Sequence, residues 1–299
     1  MNFHMSIHLE LYRIFYLTAK SGSLSKAAKL LYTSQPSVSH SIKLLEEKLG
    51  GQLFYRLARG VSLTPEGRVL YEYIEQGYGL MMTGEQRFSE LKQMSAGQLR
   101  ISVCGAVCKY DLLEGIRRYA ELYPGVRLNI KDESSTEIAR LLAVGESDIG
   151  VVNLHQLDED SFTLWRQLTL QDCFVVGERY RDSIKAPLSP QKLTTQYPLI
   201  LLQKGGSTRD YIDRYFHSHQ VELIPHLEVS HLDLMVELAV QGLGAACVAR
   251  SYVERELQSG QLHELPLQAP IPVRHLGLVT KNGMPLSTAA QRFLDLFER

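Results

Sequence analysis

Residues 23–50, SLSKAAKLLYTSQPSVSHSIKLLEEKLG, hold two helical patterns with almost nothing between them. Ser23 can cap the first, with Leu24, Ala27, Ala28 and Leu31 facing inward; the paired alanines let another helix approach closely. Thr33 or Ser34 caps the second. Pro36 suits its first turn, where the missing N–H would have no intrahelical partner. Val38, Ile42, Leu45 and Leu49 recur at i, i+4, i+7 and i+11, an apolar stripe for the core, and Gly50 stops the helix. The tight break sets two short helices at a steep angle and leaves Gln35, Ser37, Ser39, His40 and Lys43 facing outward. That is the arrangement of a helix-turn-helix, whose second helix enters the major groove by its N-terminal end. Gln suits an adenine edge, Ser and His can donate to bases or phosphates, and Lys43 would meet the backbone.

Upstream, residues 8–23 (HLELYRIFYLTAKSGS) place Leu9, Tyr12, Ile14, Phe15 and Leu17 largely on one side of a further helix. Downstream, residues 51–67 (GQLFYRLARGVSLTPEG) give two short strands, 53–56 and 61–63, around a basic turn carrying Arg56 and Arg59, a wing placed for phosphates or the minor groove. Charge agrees with this reading. The chain of 299 residues has a net charge of −1, but residues 1–70 carry nine Lys/Arg against four Glu, while 71–97 and 98–299 are both net acidic. A basic head on a mildly acidic body suits a polyanion.

Taken together, the run from Phe15 to Gly67 resembles the winged helix-turn-helix of LysR-type transcriptional regulators. The likeness rests on Ser23, Ala27-Ala28 and Leu31, then SQPSVSHSI, LEEKLG, LFYR and LTPEG. It implies that Gln35, Pro36, Ser39 and His40, with Arg56 of the wing, lie at double-stranded promoter or operator DNA; the outward face of the helix and the basic turn add Ser34, Ser37, Lys43 and Arg59 as candidates. One departure is His40, where the family commonly has Arg; a guanidinium can grip a guanine with two bonds and an imidazole cannot.

Thr64-Pro65-Glu66 is an N-cap, an N1 proline and an acidic first turn. The helix that follows is expected to run to about Met94, roughly 45 Å long. Its seam is Gly67, Leu70, Ile74, Gly77, Met81, Gly84, Phe88 and Leu91. Interior glycines cost about 1 kcal/mol each in a helix, so their retention argues for a close antiparallel partner and a homodimer. QMSAGQ, 93–98, reads as a hinge.

From Gln98 onward, apolar runs alternate with helical patterns. Strands are expected at 99–104, 126–131, 148–153, 173–176, 198–202, 227–230, 245–248 and 276–280, in α/β units with a mostly parallel sheet. Ligands in such folds bind beyond strand ends, at helix N-termini. The loops CGAVCKYD, ESSTEIA and QKGGSTRDY therefore supply the candidates Cys104, Gly105, Ala106, Ser135, Thr136, Gly206, Ser207 and Thr208, with Arg209 beside them for a small anion. The segment resembles the LysR effector domain through ARLLAVGESDIGVV and VELAVQGLGAACVA. The resemblance implies a body similar to periplasmic solute-binding proteins.

The expected fold is thus α+β and multidomain. A winged helix-turn-helix spans 1–64 and a linker helix 65–94. A two-subdomain α/β effector domain spans 98–299, with subdomain I at 98–165 and 268–299 and subdomain II at 166–267. The expected function is a DNA-binding transcriptional regulator controlled by a small anionic metabolite, a homodimer through the linker helix and a homotetramer. There is no G-x-S-x-G, phosphate-loop lysine or metal-ligand cluster, so no catalytic residue, metal or cofactor is assigned. No apolar run nears 18 residues, the opening MNFHMSIHLELYRIF has no secretory pattern, and four cysteines are too few for a disulfide scaffold; a cytoplasmic protein without a membrane span is expected. Two other readings follow from the same residues. One is a solute-binding or enzymatic body with a protein-interaction head. The other is a thiol sensor built on Cys104 and Cys108, against which Cys104, ending an apolar strand, reads as a buried structural thiol.

Overall fold

A computed structural model describes residues 7–57, 60–93 and 97–297. The chain forms two compact units, the first built on residues 1–93 and the second on the remainder apart from 143–146.

In the first unit, α1 (Leu9–Ser21), α2 (Leu24–Leu30) and α3 (Gln35–Leu49) surround one small core. Gly22 and Gly50 end α1 and α3 in the left-handed conformation, at φ 63° and 74°. Ser23 Oγ accepts the Lys26 N–H at 3.4 Å, and Ser34 Oγ accepts the Ser37 N–H at 3.3 Å, so Ser34 rather than Thr33 caps α3. Tyr32, with φ 53°, makes the sharp turn between α2 and α3. Phe15, Ala27, Val38 and Leu45 are wholly buried, as their spacing requires. Leu9 and Leu49 are exposed instead of facing inward. Each sits in a terminal turn, past the end of the neighbouring helices' contact.

The antiparallel hairpin β1 (Phe54–Leu57) and β2 (Gly60–Leu63) follows, paired from Phe54–Leu63 to Leu57–Gly60. Thr64 then starts α4 (Pro65–Gln93). Its Oγ1 accepts the Gly67 N–H at 3.0 Å and donates to Gln52 O at 2.7 Å. A Cβ on Gly67 would lie 2.2 Å from Leu53 O, so only glycine allows α4 to meet the hairpin this closely. The expected α4 seam divides. Leu70 and Ile74, with Tyr71, pack on the head's own core. Beyond them Met81 and Phe88 are exposed, and a Cβ at Gly77 or Gly84 would meet nothing within 4 Å. The Leu91 side chain, residues 94–96 of the expected hinge, and Arg59 lie outside the described residues.

The second unit contains β3 (Gln98–Val103), α5 (Gly105–Val107), which continues through a π turn (Cys108–Leu112) into α6 (Leu113–Leu122), β4 (Arg127–Asp132), α7 (Ser135–Ala143), β5 (Ile149–Asn153), β6 (Phe162–Leu170), β7 (Asp172–Gly177), α8 (Pro190–Gln196), β8 (Leu199–Leu202), α9 (Ser207–Ser218), β9 (Leu227–Val229), α10 (Leu232–Val240), β10 (Ala245–Ala249), α11 (Glu254–Ser259), β11 (Leu262–Leu265), β12 (Arg274–Lys281) and α12 (Thr288–Leu294). Two five-stranded sheets result, in the orders β4-β3-β5-β12-β6 and β11-β7-β10-β8-β9.

The expectation of mostly parallel sheets is corrected. In the first sheet β4-β3-β5 is parallel, but β12 runs antiparallel to both β5 and β6. In the second, β8 is parallel to β9 and β10, whereas β7 runs antiparallel to β10 and β11. The strands that carry the chain between halves return through the sheet in the opposite sense. The subdomain boundary moves for the same reason. A division at 165/166 would cut β6, which pairs with β12 along its whole length; the first half therefore extends to Leu170 and resumes at Arg274, with the crossings at Gln171 and at 266–273. Strands β6 and β11 were not expected. β6 is an edge strand whose side chains are mostly half-buried or exposed, so it lacks the apolar run that marks the central strands.

One apolar cluster joins the facing sides of both halves, from Leu99 and Ile101 to Val175 and Val248. Smaller clusters fill the far faces, under α7 in the first sheet and under α8 and α9 in the second.

Candidate nucleic-acid interface and ligand cleft

The N-terminal half of α3 presents a continuous polar face. Ser34, Gln35, Pro36, Ser37, His40 and Lys43 are exposed and Ser39 is half-buried, while Val38, Ile42 and Leu45 on the other side are sealed in the core. The hairpin stands beside this face. Arg56 Nη2 donates to Ser39 Oγ at 3.4 Å, and Ser39, Lys43, Tyr55 and Arg56 help line a groove of about 400 Å³ between α3 and the hairpin. Lys43 pairs only loosely with Glu47, at 3.7 Å with both side chains exposed, so its charge stays available.

Glu46 was missed in the sequence, where it reads as an ordinary surface residue of α3. Its Oε1 accepts the N–H of Leu53 at 2.8 Å and of Phe54 at 3.3 Å, fixing the start of the hairpin to α3. A charged acceptor on two successive backbone donors makes a stiff joint, so the wing keeps a set position relative to the exposed face.

The second candidate site is a cavity of about 330 Å³ between the two halves of the body. From the expected residues it is lined by Cys104, Gly105, Ala106 and Thr208. Ser135, Thr136, Gly206 and Ser207 stand outside the lining. Ser135 Oγ accepts the Asn153 N–H at 3.2 Å, and Gly206 and Ser207 begin α9 behind Thr208. The lining adds charged and aromatic residues not singled out from the sequence, notably Lys109, Asp132, Asp233, Tyr252 and Arg274. Asp132, at the carboxyl end of β4, could have been found from the same strand-end rule that marked the neighbouring loop.

The cleft's charges are largely satisfied within the protein. Arg274 is buried and forks onto buried Asp172 through Nε and Nη2, the latter at 2.7 Å, while its Nη1 donates to Thr208 Oγ1 at 3.2 Å. These two ionic partners sit beside the two crossings, so one ion pair ties both strands of the hinge. Lys109 bridges the cleft mouth to Asp233 at 2.7 Å. Asp132 Oδ1 accepts the Gly105 N–H at 2.7 Å, occupying a helix start that sequence reasoning had offered to a ligand.

Arg209 is corrected as an anion ligand. Its guanidinium is buried and donates to Asp213 at 2.7 Å, Glu228 at 2.6 Å and Leu202 O at 2.6 Å, holding α9 to its sheet. Cys104 is corrected as well. It is exposed at the cleft, one residue past the end of β3. Cys108 is half-buried, and burial with the nearby Asp132 carboxylate pushes its thiol up, away from the thiolate a redox nucleophile needs.

The π turn joins the halves. The Tyr110 ring stacks on Tyr252 at 4.4 Å and 11°, and the Tyr252 hydroxyl donates to Asp111 Oδ2. Burial holds the Asp111 carboxyl above its usual value, partly opposed by that hydrogen bond and by Arg166. Among the described residues no group of three or more His, Cys, Asp or Glu could hold a metal ion, and no helix is long and apolar enough to cross a membrane.

Residues 9–68 match the family described as bacterial regulatory helix-turn-helix protein, lysR family, and residues 92–299 match the LysR substrate binding domain. The uncharacterized HTH-type transcriptional regulator YeiE of Escherichia coli is 28% identical over 298 residues, covering 97% of each chain. A cysteine variant of full-length OxyR from Pseudomonas aeruginosa superposes with a TM-score of 0.66 at 22% identity, over 98% of this chain and 95% of that one. Full-length CbnR complexed with its target DNA gives 0.62 at 16% identity, over 97% and 98%.

Proposed function

Because this chain belongs to the LysR family of transcriptional regulators, we propose that it binds promoter DNA through α3 and the β1–β2 hairpin and answers to a small molecule held in the cleft of its body. The observation that carries this reading is the two-sided character of α3. Its apolar side is locked to α1 and α2, and its N-terminal polar side is open to solvent beside a hairpin held in place by Glu46.

In this reading Gln35, Pro36, Ser37, Ser39 and His40 meet base edges, and Ser34, Lys43, Arg56 and Arg59 meet phosphates. The exposed part of α4, with Met81 and Phe88 beside Gly77 and Gly84, pairs with a second copy. A homodimer brings two heads to two half-sites, and the homotetramer is two such dimers. The ligand acts by preferring one arrangement of the two body halves, and so of the heads. The chain works where promoter DNA is, in the cytoplasm, as a regulator with no catalytic step of its own.

The test is fluorescence anisotropy of the full chain on its own promoter duplex, across a salt series. Affinity falls steeply with salt through the phosphate contacts. Ser39→Ala with His40→Ala reduces the preference for that duplex over a scrambled one and leaves the oligomeric state unchanged. Affinity indifferent to salt, or an unaltered preference in the double variant, counts against the assignment.

A further inference from the structure

The cleft's chemistry narrows what it binds, on the footing that it is the effector site. We propose that its ligand is a zwitterion carrying both an ammonium and a carboxylate, an amino acid or a close analogue, rather than a simple anion. The reason lies in how the charges are already paired. Lys109 is matched by Asp233 and Arg274 by Asp172, and Asp132 adds a further carboxylate on the lining. Each of these two cations already has a carboxylate partner, and His231 is the other basic side chain on the lining, so a bare oxyanion or dicarboxylate would compete with Asp233 and Asp172 and sit near Asp132 as well.

The two ends of a zwitterion find complementary partners. Asp132 is exposed and, among the described residues, accepts the Gly105 N–H at 2.7 Å, which leaves lone pairs on both oxygens for an ammonium. At the other end, Asp172 takes the Nε and Nη2 side of Arg274, and Thr208 takes one Nη1 donor. Of the five guanidinium donors, one on each of Nη1 and Nη2 has no partner among the described residues and can meet a carboxylate, with the Thr208 hydroxyl beside them. Buried Asp172 holds that guanidinium rigid, so its donors are aimed before a ligand arrives. Leu170, Leu202, Val248 and Tyr252 line the space for a short side chain.

Gly105 fits the same picture. A Cβ there would lie 2.6 Å from Asp132 Oδ2, so the glycine keeps that carboxylate in place.

The test is isothermal titration of the full chain with the twenty proteinogenic L-amino acids. Each hit is followed by its desamino acid and its decarboxylated amine, and sulfate, phosphate and succinate complete the series. At least one amino acid binds, and removing either charged group weakens it about tenfold or more, the worth of a hydrogen bond to a charged partner. Asp132→Asn keeps the acceptor for Gly105 and weakens the amino acid by a similar factor, while the desamino acid, freed of one repelling carboxylate, binds no more weakly than before. Should that variant fold poorly, the analogue comparison on the unaltered chain decides alone. A desamino acid binding as tightly as its parent, sulfate or succinate binding in preference to every amino acid, or no binding by any compound overturns the proposal. Failure of the regulator reading would show separately, as a ligand-free chain that binds no promoter duplex.

Discussion

Replacing Glu46 by alanine should loosen the joint between α3 and the hairpin. The carboxylate accepts two backbone donors, at 2.8 Å from Leu53 and 3.3 Å from Phe54, both residues being buried. A hydrogen bond to a charged group contributes about 1.5–3 kcal/mol, with the longer bond at the weak end; the pair therefore amounts to about 3–4.5 kcal/mol. At about 1.4 kcal/mol per factor of ten, opening of the α3–hairpin joint becomes roughly 100- to 2000-fold more frequent. Amide hydrogen exchange of residues 52–57 in the full chain reads this directly. Glu46→Gln keeps an acceptor oxygen and loses only the charge, so its exchange falls between wild type and Glu46→Ala. Duplex affinity drops about 2- to 10-fold in the alanine variant, the cost of ordering about one side chain on binding. A Glu46→Ala chain whose 52–57 amides exchange at the wild-type rate would refute the joint.

Three further outcomes are expected. Asp111 is held above its usual carboxyl value of 3.8, so between that value and its raised native value the folded state keeps a proton that the unfolded state has lost. Its contribution to stability is present at low pH and is lost as pH rises through the native value; Asp111→Asn, neutral throughout, therefore melts higher than wild type at pH 7, and the gap closes toward pH 4 in thermal scans. Alkylation mapped by mass spectrometry modifies exposed Cys104 first and leaves Cys173 and Cys247 unmodified until the chain unfolds, since burial pushes both of those thiols up. At Gly77 and Gly84 an added Cβ meets nothing within 4 Å, so Gly77→Leu with Gly84→Leu improves helix propensity by about 0.8–1 kcal/mol per site, yet dissociates the dimer in sedimentation experiments; a dimer of unchanged stability would remove those glycines from the seam.

The head was legible because its determinants are local. Ser23 and Ser34 cap the helices that follow them, Pro36 stands where a missing N–H costs nothing, and Gly22 and Gly50 supply left-handed stops. The exposure of Gln35, Ser37 and His40 follows from the 3.6-residue period once Val38, Ile42 and Leu45 are committed to the core. The same period misled at Leu9 and Leu49, because it gives the direction of a side chain and not whether a neighbour reaches it. In the body, central strands such as β5 and β10 show as apolar runs, but β6 on an edge does not.

What sequence alone determined was therefore the helix-turn-helix, its outward face, the long helix behind it and the α/β character of the body. Tertiary structure decided which charges meet. Arg274 and Asp172 are 102 positions apart, Lys109 and Asp233 are 124 apart, and no periodicity links them. Caps and stripes act within a few residues and are written in neighbouring letters; the partner of a charged side chain is whatever the folded sheets bring beside it. Arg209 showed this most plainly, since its place after a glycine turn fitted an anion ligand, and Glu228, across the fold, had already claimed it.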